Sequence, residues 1–348
     1  MSNPLKHICM RLQSNFLRVF FLVSLLSPSA WAADNYQDWA IACDNTRRCE
    51  AVGYQAENAD TAPVLLHLTR QAGPGAPVHA TFSAIADNEP SKQALTLRVN
   101  KLVLRGIKVD QRLTQEQTKR LLPALLDAST AELSDGKLTW VLSLAGIKAA
   151  LLKMDEKQGR IGTPGALVRK GSKPESSVLP SLPIPLIKAA PLAPERQGDD
   201  KLLAPILKAI KQRDAECWDA TPDKEQPYVD LTRLTDKKVL VMRLCHRAAY
   251  QVSYAAWIAN DKPPYQPQRV MFPYSPDEPE DYVMNADFDR GIMYSYSKGR
   301  GLFDCGSRMS WVWTADGFKL LEHEFGPLCR GFGGGGQMLR IWIADIRH

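Results

Sequence analysis

Apolar and polar residues alternate in short runs through most of the chain, the period-two pattern of half-buried β-strands. Such runs fall at residues 38–43, 49–54, 64–69, 79–84 and 95–99. Asp44-Asn45-Thr46, between the first two, is turn chemistry, because short polar side chains hydrogen-bond their own backbone there. The period then lengthens. Thr114-Gln115-Glu116-Gln117 is a capping-box signature, and Leu121, Leu122, Leu125 and Leu126 follow it at helical spacing. A strand is predicted at 138–143, and Ile147, Ala150, Leu151 and Met154 share one face of a second helix.

After residue 200 an amphipathic helix is predicted over 202–210, with Pro205 in its first turns, where proline is tolerated. Short strand-like runs follow at 228–231, 238–245, 250–257, 269–273, 291–296, 310–314, 318–324 and 338–343. Turn residues separate them, and Asp316-Gly317 before Phe318 is a hairpin signal. Between the two patterned regions, residues 159–199 carry prolines at 164, 174, 180, 183, 185, 191 and 194. Pro180-Ser181-Leu182-Pro183-Ile184-Pro185 favours extended polyproline II, since each ring fixes φ and removes an amide donor. The fold class expected is α+β, mainly antiparallel β, in two domains: 33–158, β-rich with two helices, and 200–348, a helix followed by antiparallel β. Residues 159–199 form a Pro-rich linker, docked over part of its length; Leu179, Leu182, Ile184, Leu186 and Ile187 would also suit a strap packed on one domain.

The first 32 residues read as a secretion signal. Lys6, Arg11 and Arg18 precede the apolar run 19–26, Ser27-Pro28 ends it, and Ala30-Trp31-Ala32 supplies small residues for cleavage after Ala32. The run is far short of the roughly 20 residues a bilayer core needs, so no transmembrane segment is expected after cleavage, and the periplasm is the expected location. Charge adds less than it first suggests. The whole chain holds 44 basic and 38 acidic residues, but 33–158 holds 15 of each sign and 200–348 holds 20 of each. The excess lies in the signal and the linker, which removes the usual argument for nucleic-acid binding.

Of seven cysteines, Cys9 lies in the signal. The remaining six, Cys43, Cys49, Cys217, Cys245, Cys305 and Cys329, form an even set in a chain bound for an oxidising compartment, which favours disulfides over thiol chemistry. Pairing within each domain gives Cys43–Cys49, and sequence order suggests Cys217–Cys245 and Cys305–Cys329 among the other connectivities open to the second domain. Histidine is scarce, with His67, His79, His246, His323 and His348 after the signal, and no His-x-x-x-His, Cys-x-x-Cys or Asp-rich loop occurs. No metal and no cofactor are therefore expected. Gly331-Phe332-Gly333-Gly334-Gly335-Gly336 is followed by a strand pattern rather than a helix start, so it reads as a hairpin connection and not a phosphate loop.

The sharpest motif is Lys298-Gly299-Arg300-Gly301-Leu302-Phe303-Asp304-Cys305-Gly306. With Cys245, Trp311-Val312-Trp313, Phe318 and Cys329, it resembles a family of secreted Gram-negative proteins defined only as a domain of unknown function. Trp39, Cys43 and Cys49 near the start of the first domain resemble the invasion-associated locus B family of envelope proteins. These resemblances imply location and fold and supply no reaction. Lys298, Arg300, Asp304 and Arg330 form the candidate ligand-binding set. Arg300 at a glycine-flanked loop tip, with Arg330 beside Cys329, would suit a carboxylate, phosphate or sugar acid, unless Arg300 or Lys298 pairs internally with Asp304. The reading favoured is a non-catalytic periplasmic protein that binds an envelope ligand or a protein partner through this loop and the nearby Tyr294, Tyr296, Trp311 and Trp313. The alternative is a periplasmic glycan hydrolase using paired carboxylates, for which Asp287 and Asp289 are candidates.

Overall fold

Strands Trp39–Cys43 and Cys49–Tyr54 are the second and third of a six-stranded antiparallel meander. Its order is Asp34–Tyr36, Trp39–Cys43, Cys49–Tyr54, Val64–Arg70, Val78–Ala86 and Glu89–Pro90. The computed structural model describes residues 33–87, 89–214, 216–219, 228–275 and 278–347. The signal segment, its cleavage point and Cys9 lie outside the described residues. Both faces of the meander are covered, so Cys49–Tyr54 is buried at every position. Trp39, Ile41 and Ala51 face a core closed by helices Gln115–Leu126 and Ile147–Lys157. Ala40, Ala42, Val52 and Tyr54 alternate to the opposite face and meet Phe332, Leu339 and Ile341 from the end of the chain. Gly53 sits opposite Trp39 and has to be glycine: a Cβ there would lie 2.1 Å from indole Cε2. The indole in turn donates from Nε1 to Ser143 O at 2.9 Å.

The capping box forms as the sequence predicts. Thr114 Oγ1 accepts from Gln117 N at 3.1 Å, and Gln117 Oε1 accepts from Thr114 N at 2.9 Å. Leu121 and Leu125 enter the core from this helix. A four-stranded antiparallel sheet, in the order Thr139–Ser143, Thr130–Ser134, Leu95–Val99, Leu102–Ile107, completes the first half.

The second half is built on two five-stranded sheets. One orders Val229–Arg233, Lys238–Arg247, Val252–Asn260 and Gln268–Arg269, with Val283–Met284 also pairing onto Val252–Asn260. Helix Leu203–Lys211 packs Ile206 and Ile210 with Val239, Val241 and Trp257 of this sheet. The other sheet orders Asp287–Asp289, Ile292–Lys298, Gly306–Thr314, Gly317–Gly326 and Leu339–Ile343. Strand pairings throughout the described residues are antiparallel except one, Leu186–Lys188 beside Asp345–Arg347. The architecture is mainly antiparallel β with a few helices, an α+β fold. Among the described residues no helix is long and apolar enough to cross a membrane.

Residues 159–199 are bonded along their length. Arg160, wholly buried, donates to Gly73 O at 2.7 Å, to Gln71 O at 3.1 Å and to Gln158 Oε1 at 2.8 Å. Leu182 N donates to Thr46 O at 3.2 Å, Ala190 N to Trp313 O at 3.0 Å and Ala193 N to Leu234 O at 3.2 Å. The Pro-rich stretch thus runs as a strap from the first half to the second. Prolines suit this path, because a strap that lacks strand neighbours on both sides needs few amide donors.

The disulfide-closed turn at Asp44-Asn45-Thr46 meets the outer edge of Leu339–Ile343. Asn45 Nδ2 donates to Ile343 O and Asn45 Oδ1 accepts from Ile343 N, both at 2.9 Å. Glu50 Oε2 accepts from Arg340 N at 2.8 Å, and Asp44 Oδ2 accepts from Arg340 Nε at 2.6 Å. Side chains of one half thus fill the hydrogen-bonding edge of the last long strand of the other.

Candidate functional site

The loop between Ile292–Lys298 and Gly306–Thr314 is fixed from beneath by Asp304. Its buried carboxylate accepts from Arg300 Nε at 2.7 Å, from Arg300 Nη2, and from Gly331 N at 2.5 Å. Burial pushes this carboxyl up, but the Arg300 guanidinium and the Gly331 amide outweigh it and hold it below the usual aspartate value. Cys305–Cys329 joins the same two segments. The glycine run closes over them: Gly336, at φ 66°, lies so near Asp304 O that a Cβ would approach it to 2.5 Å. Gly331–Gly336 is a turn-rich connection leading into strand Leu339–Ile343.

The four candidate residues do not converge on one point. Arg300 turns back onto Asp304 with its side chain half exposed. Lys298 Nζ stands 6.0 Å from the Phe303 ring centroid. Arg330 points into the other half, 3.0 Å from Asp38 Oδ1 and 3.4 Å from Glu57 Oε2, while its carbonyl accepts from Gln55 Nε2 at 2.7 Å. The aromatic residues divide by strand alternation. Trp311 and Trp313 are buried with Phe272, Met293 and Phe318, so they are core and do not face a ligand. Tyr294 and Tyr296 are exposed.

What the fold does assemble beside the loop is a groove of about 370 Å³, lined by Tyr294, Tyr296, Phe303, Arg308, Ser310, Glu322 and Glu324. Register explains it. Tyr296 pairs with Arg308 and Arg308 with Glu324; one step along, Tyr294 pairs with Ser310 and Ser310 with Glu322. Phe303, held at φ 51°, brings its ring to 5.5 Å from Tyr296 and 5.8 Å from the Arg308 guanidinium carbon. Glu322 and Glu324 form no ion pair or hydrogen bond among the described residues. Burial raises the Glu324 pKa, Glu322 adds to the rise, and Arg308 opposes it. The two carboxylates project from one strand two residues apart. Asp287 and Asp289 are exposed, and Asp289 pairs with Arg290 at 2.9 Å.

The disulfides are Cys43–Cys49, Cys217–Cys245 and Cys305–Cys329. Asp304, Cys305 and Cys329 bring potential ligand atoms within 4.8 Å of one another, but the two sulfurs are bonded together and offer no thiolate to a metal. Three bridges fit a protein made for an oxidising compartment. Sequence reasoning missed Phe303, Arg308, Glu322 and Glu324 as a group. Period-two alternation indicates which residues share a face of one strand, but only cross-strand register brings three strands into one row.

An Escherichia coli (strain K12) protein, "Uncharacterized protein YpfG", is 28% identical over 351 residues, 93% of this chain and 97% of that protein. The crystal structure of invasion associated protein B from Bartonella henselae covers 37% of this chain and 99% of its own, at 16% identity and a TM-score of 0.28. The family model described as "Protein of unknown function (DUF1176)" matches residues 33–345, and the chain belongs to that family.

Proposed function

We propose that this is a non-catalytic periplasmic protein that binds a polar envelope saccharide in the groove beside the Lys298–Cys305 loop. The observation that carries the reading is the row Tyr296, Arg308, Glu324 with Phe303 beside it: ring faces and hydrogen-bonding charges on one rigid, solvent-facing patch. Aromatic faces stack on the C–H faces of sugar rings, and carboxylates and guanidinium groups fix hydroxyls by charge-assisted hydrogen bonds. The Asp304 bonds and Cys305–Cys329 hold the rim still, which lowers the ordering cost of binding.

Export through the signal at residues 1–32, with cleavage after Ala32, belongs to the same reading. It is supported by the three disulfides. So does a division into 33–158 and 200–348, supported by the separate cores on either side of the strap.

The test is calorimetric titration with oligosaccharides released from the cell envelope. Tyr296→Ala and Glu324→Gln are each expected to weaken binding about tenfold while leaving thermal unfolding unchanged, a loss of roughly 1.4 kcal/mol. Wild-type affinity in both variants would overturn the reading.

A further inference from the structure

A second concavity lies in the first half, a cleft of about 720 Å³ between helix Gln115–Leu126 and residues 164–175 of the strap. The helix carries two leucine pairs with different fates. Leu121 and Leu125 are buried in the core, while Leu122 and Leu126, one residue on, are half-buried and line the cleft. The opposite wall includes Ala166 and Leu167.

The strap wall is tied down at one end. Arg70 donates from Nε to Ala76 O at 3.0 Å and from Nη2 to Gly165 O at 2.8 Å, joining the strap to the connection between Val64–Arg70 and Val78–Ala86. Glu175 repeats the tie, accepting from Gly75 N at 3.2 Å and Gly165 N at 3.0 Å. These bonds fasten residues 165–175 of the strap and so fix one wall of the cleft.

Charge gives the occupant. Arg70 is engaged by two carbonyls and by Asp155, 3.5 Å away, and Glu175 by two amides and Arg160. That leaves Lys119, Lys170 and Asp127 at the lining as exposed charges, and neither lysine has an ion pair among the described residues. A mostly apolar cleft with a few polar groups at its edge is the usual form of a small-molecule site. We propose that this cleft binds a single-chain amphiphile with an anionic head, its chain along Leu122 and Leu126 and its head at Lys119 and Lys170. The proposal does not depend on the saccharide groove.

The test uses the purified protein and straight-chain carboxylates, octanoate, decanoate and dodecanoate, by calorimetry below micelle formation. Each pair of added methylenes is expected to tighten binding about fifteenfold until the cleft is filled. Lys119→Glu combined with Lys170→Glu is expected to weaken decanoate about tenfold and leave decanol unchanged. Leu126→Asp is expected to abolish binding of both; should it fail to fold, Leu122→Ser serves in its place. Tyr296→Ala is expected to leave all of these unchanged. Absence of dodecanoate binding, affinity independent of chain length, or wild-type affinity in the lysine variant would each overturn the proposal.

Discussion

His323 is buried on strand Gly317–Gly326, its ring 4.9 Å from that of Tyr274, and its Nε2 makes no hydrogen bond. Burial lowers its pKa from 6.5 to about 4. Above pH 6.5 the ring is neutral in both folded and unfolded chains and contributes nothing. As pH falls from 6.5 towards 4, the unfolded chain takes up a proton that the native chain refuses, and stability is lost by about 3 kcal/mol in all. Urea unfolding at pH 7, 5.5 and 4.5 measures this, and His323→Leu is expected to flatten that part of the profile. Glu50 titrates in a lower window: burial raises it, but His67, Arg48 and the Arg340 amide bring its pKa to about 2, so its contribution is lost only in stronger acid. His323 was visible in the sequence only as a scarce residue type. Its lack of a partner belongs to the packed neighbours, which a linear pattern does not contain. The Lys298–Gly306 motif shows the same limit. The residues stood out, yet whether Arg300 reaches outward or folds back on Asp304 depends on Gly331, 27 positions downstream.

At the scale of elements, much of the fold was legible. The meander, both helices of the first half and the late hairpins carry strong periodicity or named turn and cap signals. The pattern predicts no strand at Leu102–Ile107 or Thr130–Ser134, because each is short and only partly buried, with a charged residue on its open face. The sequence predicts a Pro-rich linker docked over part of its length, but not where it docks, because its bonds go to backbone atoms remote in sequence. Arg160 is its main anchor. Arg160→Ala would leave Gly73 O and Gln71 O without their donor and Glu175 without its cation, at a cost on the order of 3 kcal/mol. Trypsin cleavage after Arg169 and Lys170 is expected to accelerate in that variant. Unchanged cleavage would count against the strap being fastened there.

For the whole molecule, each half is close to neutral, so long-range charge attraction is not what brings the halves together. Apolar burial does so, through Tyr54 and Val52 against Phe332, Leu339 and Ile341, framed by Arg330–Asp38 and Arg340–Asp44. Residues 200–348 made alone would lose that cover. Size-exclusion chromatography with light scattering is expected to show them self-associating, and adding residues 33–158 is expected to suppress this. A monodisperse, well-folded monomer of 200–348 would contradict it.

The side chains that fill the edge of Leu339–Ile343 also have a consequence in time. A bare strand edge invites pairing with any other chain, and the N-terminal part of a chain, made first, generally folds first. The hairpin bearing Asp44, Asn45 and Glu50 pairs strands adjacent in sequence, and Cys43–Cys49 can lock its turn before the second half arrives. Leu339–Ile343 emerges among the last strands and finds its cover already built. The first half would then act as a template that shields the second at the moment it is most prone to associate with its neighbours.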